Sequence, residues 1–137
     1  MAPERDVISN AGSAISFGNY ETEEKRKADG FEVVGDIYKI KTHNKVTRLE
    51  KNGNLLYESV PGSAVRDFVL TERSARFSAE GSGDTQITLG LEAETEYRID
   101  IGGAGVGVTK SNLSGKVSFS AELSKEPVII SIEKTYK

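Results

Sequence analysis

Gly90-Leu91-Glu92-Ala93-Glu94-Thr95-Glu96-Tyr97-Arg98-Ile99-Asp100-Ile101 reads as the end of one β-strand, a short corner, and a second strand that opens on a tyrosine. Leu91 and Tyr97 stand six positions apart, with Thr95 two before the tyrosine. That spacing is the pattern of a tyrosine corner, in which the phenol hydroxyl bonds back to the main chain a few residues upstream. Leu91 and Tyr97 are therefore the expected structural corner of a two-sheet antiparallel protein. Loss of the Tyr97 hydroxyl is expected to cost about 1–2 kcal/mol, the worth of one buried hydrogen bond.

The chain on both sides of the corner alternates with period two. Ala75, Phe77 and Ala79 share one face, as do Ile87, Leu89 and Leu91, then Tyr97, Ile99 and Ile101. Val117, Phe119, Ala121 and Leu123 come next, and then Val128, Ile130 and Ile132. Such alternation puts one side of a strand on a core and the other in water. The unbroken apolar runs of a parallel sheet are missing, which favours antiparallel pairing. Gly81-Ser82-Gly83-Asp84, Gly102-Gly103-Ala104-Gly105, Ser111 to Gly115 and Ser124 to Pro127 punctuate the strands.

The middle is a meander. Ile37 to Thr42, Val46 to Lys51 and Leu55 to Val60 are strands, with Tyr38, Ile40, Leu49 and Leu56 on the expected buried side. Asn52-Gly53 is the strongest hairpin signal, because both residues tolerate the positive φ of a type I′ turn. Ala14 to Gly18 is a short strand with Ile15 and Phe17 inward. Tyr20 to Asp29 is dense in charge and reads as a solvated loop, a charged edge strand or a short surface helix. The expectation is one domain over residues 1–137, with residues 1–30 less regular. Its fold class is all-β, an antiparallel β-sandwich of about eight to ten strands.

Composition narrows the function classes. At 137 residues, 36% hydrophobic and 28% charged, the chain is long enough for one core and has no apolar run of transmembrane length. A net charge of -3 demands no polyionic partner. Without cysteine there is no disulfide framework or thiolate chemistry, which suits the cytoplasm and an exported domain equally. The start Met1 to Asp6 is polar and lacks the apolar core of a signal peptide.

No residue set makes a coherent catalytic centre. His43 is the lone histidine and reads as a turn residue, since a metal site or general base needs partners. Glu92, Glu94 and Glu96 cluster at the corner, where surface charge is ordinary. Gly102 to Gly107 superficially resembles a phosphate loop. Such a loop must open a helix, and Val108 to Asn112 read instead as strand and turn. Asp29, Asp36 and Asp84 are turn carboxylates without calcium-loop spacing. Tyr20, Tyr57 and Tyr136 are candidate sugar platforms that read first as packing residues. Lys39, Lys41, His43, Lys45 and Arg48 form a candidate partner surface, since a basic strand face can follow a phosphate or sulfated-sugar backbone. Nucleic-acid readers usually add exposed aromatics, which this face lacks, so neither nucleic acid nor membrane insertion is expected. No cofactor or metal is expected either.

The corner Gly90 to Ile99 resembles that of fibronectin type III domains, with Ala93 where that family usually has proline, and places the fold among immunoglobulin-like sandwiches. The stretch from Tyr97 to Leu123, with its Asp-x-Gly-Gly strand end, glycine-rich hairpin and Ser-Asn-x-x-Gly-Lys-Val-Ser-Phe-Ser run, is similar to C-terminal β-sandwich modules of bacterial polysaccharide-degrading enzymes. That resemblance covers roughly the last third of the chain. It implies a non-catalytic accessory or interaction module of a bacterial extracellular or cell-surface protein, whose partner is a glycan or a companion domain. A carbohydrate-binding module and a self-assembling or adhesin-type protein are the alternatives. The sequence carries no signal for oligomeric state.

Overall fold

The alternation of apolar and polar residues becomes two antiparallel sheets in the computed structural model of the protein, which describes residues 7–135. A seven-stranded sheet runs in the order β1 (Ile8–Ala11), β2 (Ala14–Phe17), β7 (Ser63–Leu70), β8 (Ser74–Gly81), β13 (Val128–Lys134), β10 (Glu96–Ile101) and β11 (Ala104–Lys110). A six-stranded sheet runs β12 (Lys116–Glu122), β9 (Asp84–Gly90), β6 (Asn54–Val60), β5 (Thr47–Lys51), β4 (Asp36–Thr42) and β3 (Arg26–Val33). The fold is an all-β antiparallel sandwich, and the thirteen strands among the described residues exceed the expected number. The difference has local causes. β1 is four residues long with three exposed side chains, β3 begins inside the charged run, and β11 is exposed nearly throughout. None of the three alternates cleanly. β1, β2 and the start of β3 lie within residues 7–30.

Four aromatic rings form the centre of the core. Phe77 stacks on Phe68 with centroids 5.2 Å apart, and Tyr57 meets Phe77 edge-on at 5.6 Å. Phe17 closes the cluster against Tyr57 at 5.2 Å. Tyr57 is fully buried beside Leu56, which breaks the alternation of β6. The register slips there: Leu49 faces Tyr57 but Glu50 faces Leu55, and this bulge turns two successive residues inward. Burial pushes the Tyr57 hydroxyl up to about 12, although bonds from Ser63 and Ser59 work the other way. Tyr57 OH and Ser59 Oγ both meet Ser63 Oγ, at 2.8 and 2.7 Å. Thr47 Oγ1 accepts from Ser63 N–H at 3.0 Å and meets Thr42 Oγ1 at 2.7 Å. This hydroxyl chain joins β4, β5 and β6 to β7 across the two sheets and satisfies groups that would otherwise be buried unpaired.

The tyrosine corner forms as expected and carries the chain from β9 in one sheet to β10 in the other. Tyr97 is buried and its hydroxyl accepts from Glu92 N–H at 3.1 Å. Ala93 supplies no ring to stiffen the turn; side chains do so instead. Thr95 Oγ1 donates to the Ala93 carbonyl at 2.9 Å. Ser111 Oγ accepts from Thr95 N–H at 2.9 Å and donates to the Glu92 carbonyl. Leu91 N–H reaches the Gly115 carbonyl at 2.8 Å. Gly115 holds φ +85°, and a Cβ there would stand 2.2 Å from the Leu91 carbonyl oxygen. Tyr97→Phe is expected to lower stability by about 1–2 kcal/mol. A urea-unfolding midpoint equal to that of the parent would show that the hydroxyl contributes nothing.

Candidate functional site

The outer face of β3, β4 and β5 gathers cations from separate parts of the chain. Ala28, Tyr38, Ile40, Thr42, Thr47 and Leu49 are buried, so the residues between them point to solvent. Strand register then sets Lys27 opposite Lys41, Lys41 opposite Arg48, and Arg48 opposite Glu58. With neighbouring strands about 4.8 Å apart, Lys27, Lys41 and Arg48 make a row of three positive charges across the sheet. Lys39 stands two residues along β4 from Lys41, opposite Glu50. Lys27, Lys39, Lys41, Arg48 and Glu50 line a shallow groove of about 150 Å³.

The charges in this groove are unequally compensated. Arg48 donates through Nε to Glu50 at 3.2 Å and through Nη1 to Glu58 at 3.0 Å. The Glu50 bond first, and Glu58 with it, hold its guanidinium above the ordinary arginine value. Lys27, Lys39 and Lys41 have no ion pair among the described residues. Like charges directly opposite each other weaken a strand pair. The Lys27–Lys41 pair is therefore an unfavourable element for stability, and an anion laid along the groove would relieve it.

Of the residues expected at this surface, Lys39, Lys41 and Arg48 line the groove and the other two do not. Lys45 is exposed in the β4–β5 turn. His43 lies in the β4–β5 turn, where the sequence places it, and is buried there, 8% exposed. Its N–H donates to the Val46 carbonyl at 2.9 Å, and the turn is pinned by Asn44 N–H to the Thr22 carbonyl at 2.8 Å. Gly62 packs against it so closely that a Cβ would stand 2.0 Å from the His43 carbonyl oxygen. Lys27 lies outside the expected set. It sits in a run of mixed charge, and only its register with Lys41 marks it.

The other candidates are dispersed. Gly102 to Gly107 forms the β10–β11 hairpin with a register shift, and a strand continues from the glycines where a phosphate loop needs a helix. Among the described residues no group of three or more His, Asp or Glu side chains is placed to hold a metal ion. Asp36 accepts from Asn52 Nδ2 at 2.9 Å, which braces the Asn52-Gly53 hairpin. Tyr20 bonds Glu80 at 3.1 Å, Tyr57 is core, and Tyr136 lies outside the described residues. Comparison with family models, curated proteins and solved structures gives no match.

Proposed function

We propose that the protein is a non-catalytic interaction module that docks an acidic glycan on the outer face of β3, β4 and β5, in support of a companion domain in a bacterial extracellular or cell-surface protein. The observation that carries this is the set Lys27, Lys39 and Lys41, three cations around one groove that have no ion pair among the described residues, two of them directly opposite. Their ammonium groups are mobile point charges suited to sulfate or carboxylate groups along a chain. The face is open and carries no aromatic platform, so it suits a ligand recognised by charge rather than by stacking. The resemblance of the last third of the chain to accessory modules of polysaccharide-degrading enzymes supports the same reading.

The test is titration with a sulfated and a uronic-acid polysaccharide. Binding is expected to weaken steeply as salt is raised, because displaced counterions and screening both oppose it. The combined variant Lys27→Glu, Lys39→Glu, Lys41→Glu should abolish binding and leave the fold intact, since Lys27 and Lys39 are exposed and Lys41 is half-buried outside the core. Neutral glycan bound as tightly as acidic glycan, or wild-type affinity in that variant, would contradict the proposal. Equal affinity for a nucleic-acid duplex would contradict the choice of ligand.

A further inference from the structure

We propose a second interface: strand β11 pairs edge to edge with β11 of a second copy of the chain, antiparallel about a twofold axis at Val108. β11 ends the seven-stranded sheet, and β10 is its one hydrogen-bonded neighbour. Its residues Ala104-Gly105-Val106-Gly107-Val108-Thr109-Lys110 are all exposed except the half-buried Thr109. Val106 is 55% and Val108 54% exposed. An edge of this kind presents unpaired backbone donors and acceptors to any incoming strand.

The other sheet edges are protected. β3 carries exposed Lys27, Asp29 and Glu32 and a register shift between Ala28 and Phe31. β12 carries Lys116 and Glu122, and β1 is four residues long. β11 has no proline and a single charge, Lys110, at its end. Its own register shift lies between Ile99 and Asp100 of β10, so the regular part of the edge is Gly107 to Lys110.

That regular part is complementary to itself. A twofold at Val108 sets Val108 against Val108 and Gly107 against Thr109, while Lys110 meets Val106 of the other copy, the bulged residue just beyond the regular part. The register of β11 on β10 puts Gly107 and Thr109 opposite the buried Ile99 and Tyr97, and Val108 and Lys110 opposite the exposed Arg98 and Glu96. The faces therefore match across the join, and small Gly107 receives the larger Thr109. Charge agrees as well. Asp100, which also faces Arg98 Nε at 3.8 Å, lies opposite Gly105, so Lys110 of the other copy brings a second cation toward it across Val106 and the side-chain-free Gly105. Such an isologous contact satisfies both edges at once and closes on itself, where pairing of β11 with a different edge strand would propagate. This interface is independent of the basic groove, which lies on the other sheet.

Sedimentation equilibrium tests the proposal. The wild-type chain is expected to move from monomer to dimer as concentration rises, and Val108→Lys to remain monomeric with an unchanged unfolding midpoint. The chain has no cysteine, so Val108→Cys places one thiol per copy on the axis and should oxidise to a covalent dimer in high yield. A wild-type monomer at millimolar concentration overturns the proposal and leaves the edge to a different strand. A dimer that survives Val108→Lys, or in which Val108→Cys does not cross-link, also overturns it. None of these results bears on glycan binding by the groove.

Discussion

Phe77→Ala is expected to lower the free energy of unfolding by about 3–5 kcal/mol. Phe77 is 2% exposed on β8, a strand flanked by β7 and β13 in the middle of the larger sheet. Its ring stacks on Phe68 and takes the edge of Tyr57 at an interplanar angle of 90°. Truncation removes both ring contacts and opens a cavity between sheets whose strands are tied to neighbours on both sides, so collapse is limited. Domains of this size are stable by about 5–15 kcal/mol in total, which makes this one ring a large share. Urea unfolding monitors it: the midpoint falls while the slope is retained. A loss below about 1 kcal/mol would mean that the four rings do not form one packed unit.

Gly90→Ala is the second large effect, expected at about 3 kcal/mol or more, because the added methyl meets main chain. A Cβ at Gly90 would stand 1.9 Å from the Leu55 carbonyl oxygen and 3.1 Å from its carbon. The bulge in β6 that buries both Leu56 and Tyr57 accompanies this close approach. Neither backbone can swing aside as a side chain would, since β9 is paired with β6 on one side and β12 on the other. The same urea experiment reads the loss. A Gly90→Ala variant as stable as the parent would place Leu55 farther from β9 than described.

Much of the architecture arises from local signals. The corner is legible because Leu91, Thr95 and Tyr97 each have one job within a few residues. The β5–β6 hairpin is legible because Asn52 and Gly53 both adopt positive φ, at 52° and 84°. Period-two alternation correctly turns Ile15, Phe17, Tyr38, Ile40, Leu49, Phe77, Ile87, Leu89 and Ile132 inward. The hidden features depend on partners distant in the chain. Ser111 looks like an ordinary loop serine, yet it clasps the corner from 16 residues away at Thr95. The main chain at His43 lies against Gly62, which has no side chain to hold it off, and the two stand 19 positions apart. Tyr57 and Leu56 are both inward because β6 bulges against β5, which no single-strand pattern reveals. β13 lies between β8 and β10, a pairing that alternation cannot specify.

The candidate site divides in the same way. Lys39, Lys41 and Arg48 are visible in the sequence as outward positions on adjacent strands of one meander. Lys27 is not, because its meaning rests on the register of β3 against β4 and on a bulge between Ala28 and Phe31. The compensation of Arg48 by Glu50 and Glu58 is likewise invisible there, and it shifts the weight of the site from Arg48 to the three lysines.

Backbone amide shifts recorded during titration with an acidic oligosaccharide show whether the outer face of β3, β4 and β5 is the docking surface. Changes are expected to concentrate at Lys27, Lys39, Lys41 and Arg48 and to fade as salt is added, with β8, β13 and β10 unmoved. Saturable shifts centred on the opposite sheet, or none at any oligosaccharide concentration, would contradict it.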